Sequence, residues 1–218
     1  MDGRQPILHM SGSVTVHAVE VTTRDMEGLP DARGDSVASM LASDHGIKVG
    51  GVRVNLRYLI KAEMSEDEIE RTVYDLFADP VIEIGSCTGA WLDSNDLFPQ
   101  PPEAVIQVGF NPGVTDNAGQ AGLDGLLTLY PRLARQSQVA TSRTYMFWDL
   151  PEGTDSSELA AMLHNPMIER CAIAGAEDCA AARWPSLGFP DRPPAVSYTH
   201  LRAHETDSYL VCRLLLEK

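Results

Sequence analysis

The pattern Gly-x-x-Asp-x-x-Gly occurs twice in this chain, as GLPDARG from Gly28 to Gly34 and as GVTDNAG from Gly113 to Gly119. Gly28, Asp31 and Gly34 match Gly113, Asp116 and Gly119 at a constant offset of 85 residues. Two further matches follow in order. Tyr58 corresponds to Tyr145, and DPVIE from Asp79 to Glu83 corresponds to NPMIE from Asn165 to Glu169, at offsets of 87 and 86. Three ordered matches with nearly equal offsets describe a tandem repeat whose small drift is taken up in loops.

Each copy of the pattern lies between a strand-like and a helix-like run. Val14 to Thr22 and Ala104 to Phe110 are rich in β-branched and alternating apolar residues, which predicts strands. After the first turn, Asp35 or Ser36 is the expected helix N-cap, with Val37, Met40 and Leu41 as the apolar stripe. After the second, a helix is expected to run to about Tyr130 with Leu123, Leu126, Leu127 and Tyr130 inward. Ile47 to Glu63 and Val139 to Leu150 read as long strands, the former broken or bulged at Gly50-Gly51. Ser65 and Glu68 form a capping-box pattern before Ile69, Val73, Leu76 and Phe77, and Ser156 to Leu163 reads as a short helix. Val81–Ile84 and Met167–Ala174 are expected as the closing strands.

The expected class is therefore α+β: two tandem β-α-β-α-β units with antiparallel sheets and helices on one face, in a ferredoxin-like arrangement. Each unit is near the size at which one core is marginal, so the two should pair, as one larger sheet or as face-to-face layers. The expected boundaries are a tail over 1–13, a first repeat over 14–92, a Pro-rich connector over 93–102 and a second repeat over 103–174. Residues 175–195 lack a clear period and read as a linker.

Residues 196–218, VSYTHLRAHETDSYLVCRLLLEK, resemble a translated sequencing adapter. On that reading the i, i+4 pair His200 and His204 is not a metal motif, and the native frame continues into something longer than this chain.

Function classes narrow by charge and by missing motifs. Thirty-one acidic against seventeen basic residues, a formal charge of −14, leave no basic stripe for nucleic acid or an anionic membrane. No apolar run reaches membrane-spanning length, and the N-terminus lacks a signal-peptide core, so cytoplasmic location is expected. Cys87, Cys171, Cys179 and Cys212 form no CxxC pair and read as free thiols.

The glycine turns could cradle a ligand at a helix N-terminus, but they match neither GxGxxG nor GK[ST]. Tight strand-to-helix turning, with glycine supplying backbone freedom and aspartate a local cap, is the plainer account. The acidic residues Asp149, Glu152, Asp155 and Glu158 read as a solvated helix start. His45 and His164 each end an expected helix, and Tyr145, Phe147 and Trp148 read as core or interface. No catalytic, cofactor-binding or metal-binding residue is assigned. Gly28, Asp31, Gly34, Gly113, Asp116, Asn117 and Gly119 stand as structural-turn or interdomain-contact candidates.

The stretches SEDEIERTVYDLFADPVIE, VGFNPGVTDNAGQAG and TSRTY…NPMIER resemble the N-terminal region of phosphoribosylformylglycinamidine synthase. More narrowly, they resemble the enzyme's small structural (PurS-like) subunit, duplicated and fused ahead of the synthetase. The resemblance covers Val14 to Ala174. It implies a non-catalytic module that supports synthetase and glutaminase assembly and ammonia transfer in purine biosynthesis. It places ATP, magnesium and ribonucleotide sites in the synthetase domain, with that domain and the glutaminase domain or subunit as partners. The rival readings are a tandem ferredoxin-like or amino-acid-binding regulatory domain, and a self-association module.

Overall fold

The computed structural model describes residues 14–24, 31–87, 100–133 and 137–190. Six strands, all paired antiparallel, form one sheet in the order β3-β1-β2-β5-β4-β6. The first repeat supplies β1 (Thr15–Thr23), α1 (Ala32–Asp44), β2 (Gly51–Ala62), α2 (Glu66–Thr72, continued by a π-helical turn over Val73–Phe77) and β3 (Glu83–Ser86). The second supplies β4 (Ala104–Phe110), α3 (Asn117–Leu129), β5 (Gln138–Trp148), α4 (Ser156–Leu163) and β6 (Glu169–Ala174). A short helix, α5 (Ala176–Ala180), follows.

The repeats join along their long strands, β2 against β5. Leu56 lies opposite Arg143, and these two are related by the same 87-residue offset as Tyr58 and Tyr145. A pseudo-twofold axis therefore passes between Leu56 and Arg143. Of the two pairings open from the pattern, the single continuous sheet is the one formed. It leaves each repeat without a free inner edge.

Side chains alternate across the sheet, so one face collects Val19, Val21, Ile60, Val54, Tyr145, Phe147, Ile106 and Val108. Helices α1 to α4 pack on that face in two clusters, and each cluster draws on both repeats. Leu126 and Leu133 of the second repeat join Val19, Val21, Ile60, Ile69 and Phe77 of the first. Leu41 and Val54 of the first join Ile106, Tyr145, Phe147 and Leu159 of the second. Leu41 and Leu126 are fully buried, each contributing about 1.5–3 kcal/mol of apolar burial to a core its own repeat does not complete.

Local chemistry sets the element ends. The Ser65–Glu68 capping box forms, with Ser65 Oγ accepting the Glu68 N–H and Glu68 accepting the Ser65 N–H. The first helix starts earlier than Asp35 or Ser36. Asp31 is its N-cap residue, because the backbone carbonyl of Asp31 already accepts the Asp35 N–H at 2.8 Å. The closing strands start later than expected. Asp79 Oδ1 accepts the Val81 N–H at 2.8 Å and Asn165 Oδ1 accepts the Met167 N–H at 3.0 Å, so both apolar pairs sit in side-chain-stabilised turns. Glu83 and Glu169 complete these turns by accepting the Asp79 and Asn165 N–H groups at 3.0 and 2.8 Å. The two turns thus repeat at the level of individual hydrogen bonds.

The stretch read as a linker after Gly175 instead packs on the sheet's other face. Cys179 and Trp184 cover Val105, Met146 and Ala174. The Leu187 N–H donates to Gln107 Oε1 at 2.6 Å, and Arg170 donates to the Gly188 carbonyl at 2.6 Å. Its lack of periodicity reflects one short helix, α5, followed by an irregular segment that Gln107 and Arg170 hold at Leu187 and Gly188.

Candidate functional site

Both Gly-x-x-Asp-x-x-Gly segments lie between the middle strand of a repeat, β1 or β4, and its first helix. Gly28 lies outside the described residues. Gly34 and Gly119 are buried and serve close approach: a Cβ at Gly34 would overlap the Val52 carbonyl, and one at Gly119 would lie 2.6 Å from the Val139 carbonyl. Val52 and Val139 are themselves repeat counterparts, so both helices rest on the central strands at equivalent points. Gly113 has φ of +87°, which an L side chain adopts only at a cost. Asn117 opens α3 and is exposed.

The two aspartates, equivalent in sequence, do different work. Asp116 caps α3, accepting the Gly119 N–H at 2.7 Å. It also accepts the Thr141 N–H at 2.6 Å and the Thr141 hydroxyl at 2.9 Å, clipping the helix start to β5. Among the described residues, Asp31 accepts the Thr23 hydroxyl, at 3.1 Å, and makes no side-chain cap bond. Its Oδ2 is buried with no partner among the described residues. The counterpart of Thr141 is Val54, so the first repeat has no hydroxyl at that place.

An open hollow of about 380 Å³ lies at the second turn, lined by Asn111, Thr115, Asp116, Asn117, Gln120 and Gln138 among others. A smaller one, about 260 Å³, lies beside the pseudo-twofold axis against Leu56, Tyr58, Val108, Phe110, Ala118 and the Arg143–Glu169 ion pair. Tyr58 and Tyr145 flank the axis. Burial pushes both phenols above their ordinary value; Glu83 and Asp116 add to this at Tyr58 against Arg33, and at Tyr145 Arg143 opposes it. Sequence reasoning paired Tyr58 with Tyr145 as repeat marks but did not find this second hollow, whose signal was the change from Arg33 to Ala118 at equivalent positions.

The other residues singled out from sequence hold structural posts. Asp155 caps α4, accepting the Ser157 N–H at 2.9 Å. His45 and His164 stand at the C-caps of α1 and α4. Tyr145 and Phe147 lie in the core, while the Trp148 indole donates to the Gln100 carbonyl at 3.0 Å. Cys87, Cys171 and Cys179 are free thiols, and burial first, then Asp178, pushes Cys179 up to about 11. Cys212, His200 and His204 lie outside the described residues. Among the described residues, no group of three His, Cys, Asp or Glu side chains is placed to hold a metal ion, and no helix is long and apolar enough to cross a membrane. Comparison with known protein families and with curated proteins gives no match.

Proposed function

We propose that this chain is the N-terminal assembly module of a phosphoribosylformylglycinamidine synthase, built from two fused copies of a small structural subunit of ferredoxin-like fold. It organises a cytoplasmic synthetase and its glutaminase and supports ammonia transfer between them; ATP and magnesium act in the synthetase domain. The observation that carries this reading is the composite core. Leu41 and Leu126 each complete the other repeat's cluster, as expected of an obligate dimer of small subunits that became one chain. The quoted motifs support it: VGFNPGVTDNAG spans the end of β4 and the start of α3, and NPMIER spans the turn into β6.

Two measurements test it. Sequencing the source gene across codon 195 is expected to reveal a synthetase domain in frame; a natural stop, or a continuation lacking that domain, defeats the reading. The present chain is expected to show no turnover with ATP, glutamine and formylglycinamide ribonucleotide, and measurable turnover would show that the chemistry lies in these repeats.

The hollow at the second turn favours one alternative, a regulatory domain that senses a small effector. Calorimetric titration with amino acids and purine nucleotides separates the two, since saturable binding supports sensing and its absence leaves assembly.

A further inference from the structure

Around the pseudo-twofold axis the two repeats differ in where their arginine comes from. In the first, Arg33 reaches from the first turn of α1 to Glu83, where its guanidinium donates to the carboxylate. In the second, the counterpart of Arg33 is Ala118, and the carboxylate of Glu169, counterpart of Glu83, is reached instead by Arg143 from β5. Arg143 occupies the place of Leu56. The helix arginine of the first repeat thus has no counterpart on α3, and a hollow of roughly 260 Å³ lies beside Ala118.

We propose that this hollow receives an arginine side chain from a partner chain. The first repeat provides the template, a helix-borne guanidinium on the closing-strand glutamate. The second repeat offers the matching parts. Val108 is buried and Phe110 half-buried, giving an apolar wall for the stem. Phe110 and Tyr58 line the hollow, and aromatic surroundings suit a planar guanidinium better than a compact, strongly hydrated ammonium. Glu169 already accepts from Arg143 and from the Asn165 N–H, and a carboxylate has lone-pair sites for a further donor. Around the axis, Glu83, Asp116 and Glu169 outnumber Arg33 and Arg143, and the chain as a whole carries −14. An incoming cation therefore restores balance where a second anion would not. Ala118 and Arg143 are both reachable from solvent, Arg143 with 44% of its side chain exposed. The assignment is independent of which enzyme the module serves.

The test is a titration of the 15N-labelled 218-residue chain with N-acetyl-arginine amide, followed by amide chemical shifts. Saturable shifts are expected at Phe110, Ala118 and Arg143, with about ten-fold weaker response to the lysine and phenylalanine analogues. Ala118→Arg should abolish the shifts by refilling the hollow as Arg33 does in the first repeat. Ala118→Met serves the same purpose should the arginine variant fold poorly. Arg33→Ala should open the mirror hollow and add a second set of shifts near Val21 and Thr23. Equal response to the lysine or phenylalanine analogue overturns the arginine assignment, as do shifts that persist in both Ala118 variants, and so does a chain that shows no saturable shift at all.

Discussion

Asp31 and Asp116 occupy the same place in the repeat, yet truncating them should cost very different amounts. Asp116→Ala removes an N-cap, worth about 1 kcal/mol, and leaves the Thr141 N–H and hydroxyl without their charged acceptor, about 1.5–3 kcal/mol more. The expected loss is about 3 kcal/mol. Asp31→Ala removes one hydroxyl donor's partner, but it also removes a buried oxygen that has no partner among the described residues. These oppose, and the expected loss is below about 1 kcal/mol. Urea unfolding followed by circular dichroism measures both, provided the slope is unchanged between variants. Asp116→Asn should fall between them, keeping a good cap while giving up charge at Thr141. Equal losses for the two alanine variants, or a larger loss at Asp31, would refute the claim that the clip to β5 distinguishes the turns.

Further outcomes follow from the packing. Leu41→Ala and Leu126→Ala should each cost about 3–5 kcal/mol and leave a single unfolding transition, since each core spans both repeats; two separated calorimetric transitions would contradict the composite cores. Burial, opposed by Arg57, holds the Glu20 carboxyl above its ordinary value. A raised carboxyl pKa gives stability that is full below the unfolded value and is lost as pH rises through the folded one. Stability measured from pH 4 upward should therefore fall more in the wild type than in Glu20→Gln, the residue type the second repeat already carries as Gln107; identical pH profiles would remove Glu20 as the cause.

The order of elements was legible in the sequence because it depends on local rules. Alternation marked β1 and β4, the Ser65–Glu68 box marked the start of α2, and the period of Leu123, Leu126 and Leu127 marked α3. The duplication was legible too, since equal offsets survive divergence. Where local reading failed, side chains were competing with the backbone. Asp79 and Asn165 turned Val81 and Met167 into exposed turn residues that composition alone favoured as strand. Residues 176–190 gave no period because Gln107 and Arg170, distant in sequence, hold them.

By itself, then, the sequence determined two β-α-β-α-β units with a glycine-framed turn after the first strand of each, because backbone freedom, capping and periodicity act within a few residues. Only the tertiary structure decided that the units share one sheet across Leu56 and Arg143 and exchange their core leucines. Only there do Asp31 and Asp116 part ways. Asp116 is clipped to Thr141 while Asp31 faces Thr23, and the hollow beside Ala118 lies where the first repeat carries Arg33 on its helix. Such relations join residues far apart in the chain, and no local rule carries them.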